Sequence, residues 1–278
     1  MGHSPLEDHY EPGPIVMGLD PGPFICDLTC VHQARALWDG GDGPARVTSA
    51  EIAARQVEAA DHVVMLGDPH SRAGAGGADV LVRHLNPAVV VHEGEVRGVG
   101  GAVAGSAAPW LLLGAWRQRL EPVRVMRVYG APGHGIDSFV WRARRPLHPQ
   151  RLFDVLGTVM FGVLRSRGHL WLCSRPESVV GWRSAGPHLE MAESGRWLQE
   201  GDAPAWRAAS AQRRTLASWF WHEQFGERRN EIAFTGTLLD HRRIRTALDA
   251  AVLDDAELAL GPRSWASVHD PLLLGPGR

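Results

Sequence analysis

Between residues 139 and 172 the chain changes its hydrophobic period twice. Residues 139–144 (Phe-Val-Trp-Arg-Ala-Arg) partly alternate apolar and polar positions, the period of a strand with one buried face. Pro146 ends that run, because it has no N–H to give to a ladder, and Pro149 suits the first turn of a helix. Leu152, Leu156, Val159 and Val163 then recur at helical spacing and form one apolar stripe. Residues 163–172 read as the next strand, with Gly168 marking a bulge or a close backbone approach. Farther on, 202–225 predicts one helix capped by Asp202, with Trp206, Leu216, Trp219 and Phe220 turned inward. Residues 230–239 predict a strand, and 242–252 a helix burying Ile244, Ala247, Leu248 and Ala251. The order suits an α+β domain of about four strands with helices on one face.

The first half predicts an α/β arrangement. Residues 15–20 and 62–66 read as short buried strands, and 88–92 as a third. Thr48-Ser-Ala-Glu51 predicts a capping box, Thr48 accepting from the backbone and Glu51 reaching back, at the start of a helix over 50–60. The run 98–116 is broken by glycines and Pro109, so it predicts a small-residue core segment or a cover for a sheet edge and not a membrane span. The expected organisation is an arm (1–14), a partial α/β domain (15–137), an α+β domain (138–260) and a loosely held tail (261–278).

Composition narrows the chemistry. A formal charge of −2 over 278 residues argues against a protein that coats a polyanion. No signal peptide is expected, and three cysteines fit a reducing cytosol, so the predicted location is cytoplasmic. All 29 basic residues are arginine. A phosphate-binding P-loop uses the compact ammonium of a lysine, which the planar arginine fork does not replace. Gly100-Gly-Ala-Val-Ala-Gly105 has loop-like glycine spacing but continues Ser106-Ala107, and reads as tight packing.

The run Ser138-Phe-Val-Trp-Arg-Ala-Arg-Arg-Pro, with Pro149-Gln-Arg-Leu152 and Leu164-Arg-Ser-Arg-Gly-His-Leu-Trp-Leu172, resembles the C-terminal domain of CobW-like GTPases, a family linked to handling zinc, cobalt and other metals. Trp182-x-x-Ala-Gly186, Phe225-Gly-Glu-Arg-Arg-x-Glu-Ile232 and Leu248-Asp-x-x-x-Leu253, with Asp254 and Glu257, follow in the family's order. Arg55-Gln-Val-Glu-Ala-Ala-Asp-His-Val-Val64 and Leu85-Asn-Pro87 resemble parts of its GTPase domain. There the family's Asn-Lys-x-Asp motif reads guanine; here the text is Met65-Leu-Gly-Asp68, so Asp68 alone remains, and its plainer reading is a turn residue before Pro69. The family's P-loop, Cys-x-Cys-Cys motif and Walker B strand precede the point that Ile15 matches, and none is found here. The resemblance therefore implies a partial P-loop-type sheet followed by a CobW C-terminal-like domain, with GTP and Mg not expected on this chain alone.

Cys26-x-x-x-Cys30-x-His32 is the metal candidate, since a helix would put the two thiols one turn apart and thiolates with imidazole suit zinc; the alternative is two buried structural thiols. His3 and His9 could join only from the arm. Members of the family the chain resembles often carry a histidine-rich run at this place; here only His134, in a glycine loop, stands there, as a further metal candidate or, more plainly, a solvated side chain. Arg142, Arg144, Arg145, Arg165, Arg167, Arg228 and Arg229 could converge into a patch for carboxylate, phosphate or RNA backbone, or pair internally with Glu227, Glu231, Asp249 and Asp254. No hydrolase motif is present. The expected function is that of a metal-homeostasis accessory, or pseudo-GTPase, acting through protein partners: a client metalloprotein or a separate P-loop half. The alternatives are one piece of a split GTP-dependent metallochaperone and a ribosome- or RNA-associated factor induced by zinc shortage.

Overall fold

A computed structural model describes residues 13–32, 48–66, 75–93, 121–128 and 132–272. Asp68, His3, His9, the loop 39–44 and the segment 98–116 lie outside the described residues. The first unit is a three-stranded parallel sheet in the order β1 (Val16–Leu19), β2 (His62–Met65), β3 (Val90–Glu93). Helices α1 (Phe24–Asp27), α2 (Ser49–Ala59) and α3 (Ala75–Leu85) accompany it. Val57 and Ala54 of α2, Val63 of β2, and Leu81 and Leu85 of α3 form its core. That core also takes in Ile136 and Leu164 of the second unit, so the two halves share buried surface.

The second unit is an antiparallel sheet of β4 (Ile136–Ala143), β5 (Val163–Leu170), β6 (Ser178–Ala185), β7 (His188–Arg196) and β8 (Asn230–Thr237), in the order β4-β8-β5-β6-β7. It has five strands and not four, because Gly186 (φ +54°) turns the chain from β6 into the additional strand β7. Helices α4 (Pro149–Met160) and α7 (His241–Ala251) both cover one face, where Trp141, Leu152, Leu170, Trp182, Phe234, Ile244 and Leu248 are buried together. His148 caps α4 by accepting from Arg151 N, and Pro149 fills its first position as expected.

Three local expectations are corrected. The helix expected over 202–225 is two, α5 (Ala203–Ala208) and α6 (Ala211–Trp219), because Ser210 accepts from Arg213 N and caps a new start. Trp219, expected inward, is 77% exposed at the end of α6. Thr48 does accept from Glu51 N, yet the Glu51 carboxylate turns away from the cap to Arg55 and Arg165. The capping box that does form is Asp254 with Glu257, at the start of α8 (Asp255–Ala259); α9 (Gly261–Trp265) follows. Gly168 is a close approach: a Cβ there would stand 2.8 Å from Ile232 Cα and nearer still to the Glu231 carbonyl oxygen, while the register shift falls between Val163 and Arg165.

Candidate functional site

The sheet face opposite α4 and α7 is polar and turns towards the first unit. Period-two alternation along β5 puts Arg165, Arg167 and His169 there, while Leu170 faces the helices. Arg165, 3% exposed, donates from Nη1 to Glu51 at 2.5 Å, and from Nε and Nη2 to Glu58 at 2.7 and 2.9 Å. Glu51 and Glu58 both belong to α2, so one guanidinium ties the central strand of one unit to a helix of the other. Burial alone pushes the Glu58 carboxyl up, but Arg165 and then Arg167 overcome it and hold it at about 2. Burial works against the charged Arg165 as well, and the two carboxylates more than offset it.

The strap 121–128 crosses the same face. Met126 N donates to Glu231, which also accepts from Arg142 at 3.0 Å and lies 3.5 Å from Arg229 Nε. Arg124 is driven down to about 10 by burial and by Arg167, with Arg183 and Arg165 adding to the repulsion and Glu58 opposing it. Nearby, the fully buried Glu227 accepts from Arg213 and from Leu198 N. His84 bonds Ser138 Oγ at 2.7 Å, and Ser138 bonds Thr235 Oγ1 at 2.6 Å, linking α3 to β4 and β8.

His169 is fully buried, and among the described residues neither ring nitrogen has a hydrogen-bond partner. Burial, and after it Arg229 and Arg124, hold its pKa well below the usual 6.5, so the ring is neutral in the folded chain. In the unfolded chain it protonates normally. Its contribution is therefore a stability that falls as pH drops below 6.5, because only the unfolded state then gains the proton. Between pH 7 and 5, His169→Leu is expected to flatten the decline in the urea midpoint, by up to about 1.4 kcal/mol per pH unit for one proton. Equal pH slopes for the two proteins would show that His169 titrates normally in the fold.

The seven arginines singled out in the sequence do not form one surface. Arg165 and Arg167 share Glu58, while Arg142 and Arg229 share Glu231. Arg145 pairs with Asp255, and Arg228 with Glu177. Burial lowers the pKa of Arg144, with Glu231 opposing. Asp254 and Asp249 serve otherwise, as the cap of α8 and as acceptor for the Trp141 indole. Four arginines that the sequence did not single out, Arg55, Arg124, Arg127 and Arg183, line a cleft with Arg165 and Arg167. Arg55 and Arg183 lie within runs that resemble the family without being marked there as site residues, and Arg124 and Arg127 had only their i, i+3 spacing in a stretch without a clear period.

Helix α1 ends at Asp27, so Cys30 stands beyond it and the thiols are not one helical turn apart. Cys26 is exposed, Cys30 half-buried, and Cys30 Sγ lies 3.2 Å from His32 Nδ1. Among the described residues no three His, Cys, Asp or Glu side chains come together as a metal would require. These donors thus do not make a closed zinc site, which takes four ligands. His134 adopts φ +51° in the turn before β4, its ring against Gly76 of α3. Among the described residues no helix is long and apolar enough to cross a membrane.

Residues 136–252, the segment that carries β4 to α7, match the cobalamin synthesis protein cobW C-terminal domain. A zinc chaperone of Mycobacterium tuberculosis is 30% identical over 266 residues, covering 94% of this chain and 64% of the relative. The zinc-regulated GTPase metalloprotein activator 1 of Dictyostelium discoideum is 36% identical over 159 residues, 56% of this chain and 33% of that protein. The Zn(II)-bound YjiA GTPase from E. coli aligns over 90% of this chain and 64% of that one, at 14% identity and a TM-score of 0.37. The segment 136–252 belongs to the CobW C-terminal domain family. The chain spans about two thirds of the length of its mycobacterial relative and one third of the amoebal one.

Proposed function

We propose that this chain serves zinc homeostasis as a CobW-type accessory that acts by holding a protein partner and does not itself turn over nucleotide. The family match over 136–252 carries the reading, and the names of the relatives, a zinc chaperone and a zinc-regulated metalloprotein activator, supply the metal. The absence of lysine from all 278 residues supports the second half, because no side chain here supplies the point charge that a phosphate loop uses. Cys30 and His32 offer two donors for a zinc ion in transit, with the remaining ligands coming from the client. Incubated with GTP and Mg, the pure chain is expected to release no phosphate above the rate in buffer alone. Hydrolysis of GTP by the pure chain would overturn the nucleotide half. Unaltered growth of a deletion strain under zinc chelation would overturn the metal half.

A second reading is that the chain works with a P-loop half made as a separate polypeptide. The parallel sheet favours it: Val16 on the outer strand β1 is 41% exposed, and an open edge invites a further strand. Co-expression with a stand-alone P-loop fragment decides between the two. Complex formation with restored GTP hydrolysis supports the split enzyme, and two separate species remove it.

A further inference from the structure

Where the two units meet, Arg55, Arg124, Arg127, Arg165, Arg167 and Arg183 line a cleft of about 520 Å³. Guanidinium groups donate only and remain charged, so such a wall needs anions in reach. The carboxylates at hand are already shared. Glu58 lines the cleft and serves both Arg165 and Arg167; Glu51 serves Arg165 and Arg55, and Glu190 stands 3.6 Å from Arg55. Among the described residues no carboxylate reaches Arg127 or Arg183, both of which are exposed. The positive excess is felt inside the cleft, where burial and three neighbouring arginines bring Arg124 down to about 10.

We propose that this cleft binds a multiply charged phosphate anion, a phosphorylated small molecule or a short polyphosphate, with Arg127 and Arg183 as its outer clamps. The volume lies in the range of small-ligand sites, roughly 300–1,000 Å³. A phosphoryl group brings up to about two charges and three acceptor oxygens into one compact unit, and arginine forks meet such oxygens in pairs. One carboxylate brings a single charge and leaves most of the excess in place. Single-stranded RNA is disfavoured because among the described residues no aromatic side chain lines the cleft, so bases find nothing there to stack on. The site is independent of the zinc reading.

The test is calorimetric titration of the full chain with pyrophosphate at low salt, compared with citrate, which matches it in charge, and with a uridine-rich RNA oligonucleotide. Pyrophosphate is expected to saturate below about 1 mM, and Arg127→Gln and Arg183→Gln each to weaken it about ten-fold, as loss of a charged hydrogen bond does. Both side chains are exposed, so unchanged melting temperatures are expected for these variants. Arg245→Gln on α7, across the sheet, is expected to bind as the unaltered chain does. The proposal is overturned by absence of saturable binding, by equal affinity in the two clamp variants, or by citrate binding more tightly. RNA binding that is sensitive to the clamp variants while pyrophosphate is ignored also overturns it.

Discussion

Arg165→Met is expected to destabilise the chain by about 3 kcal/mol, since it removes the cation shared by two buried carboxylates and leaves Glu51 and Glu58 only their outer partners, Arg55 and Arg167. Arg165 and Glu51 are 4% and 5% exposed at their side chains and Glu58 is 13% exposed, so water offers little relief. The triple variant Arg165→Met, Glu51→Gln, Glu58→Gln is expected to regain part of the loss, because it removes the two stranded carboxylates while also taking a partner from Arg55 and Arg167. Urea denaturation of the two proteins measures the difference. A single variant within about 1 kcal/mol of the unaltered chain, the range of an exposed ion pair, would show that the clamp is not formed in solution. The acid limb follows from the same geometry. With the folded Glu58 carboxyl near 2 and the ordinary value at 4.5, its contribution is complete above 4.5 and is lost as pH falls towards 2.

The next largest effect is expected at Gly168. Gly168→Ala forces a methyl group against the backbone of β8, at the Glu231 carbonyl and Ile232 Cα, which no side-chain rotation relieves. The β5–β8 ladder has to open at the centre of the sheet, at a cost of about 3 kcal/mol, the upper range for overpacking. Gly157→Ala makes the opposite-sign comparison. Gly157 lies in α4 with open space where its Cβ would be, so the change is expected to stabilise by about 0.5–1 kcal/mol. Denaturation midpoints that shift in the same direction for both variants would contradict the packing described here.

Where the sequence could be read, local spacing was sufficient. The stripe Leu152, Leu156, Val159 and the prolines at 146 and 149 marked β4, α4 and β5 because their period is set by neighbours in the chain. Strand β7 escaped notice because it is an edge strand: only Leu189 and Met191 turn to the core, and the alternation breaks at Ala192 and Glu193, where the next inward position is a carboxylate. Ser210 carried a legible cap signal, but the apolar residues on both sides of it suggested one continuous helix. The polar site was hidden for a different reason. Glu51 has the spacing of a capping box, and nothing local indicates that its partner lies 114 residues away. Arg124 and Arg127 acquire meaning only when the strap lies across β5 and β8, a tertiary event without local periodicity.

Glu51 and Glu58 stand in the first and last turns of α2, about 10 Å apart along the axis at 1.5 Å per residue. Held by one guanidinium at two such points, the helix can neither roll nor slip lengthwise without rupturing a contact. A displacement of α2 therefore pulls through both contacts on β5, the middle strand of the other sheet. The polar junction behaves as a transmission joint between the halves rather than as a hinge.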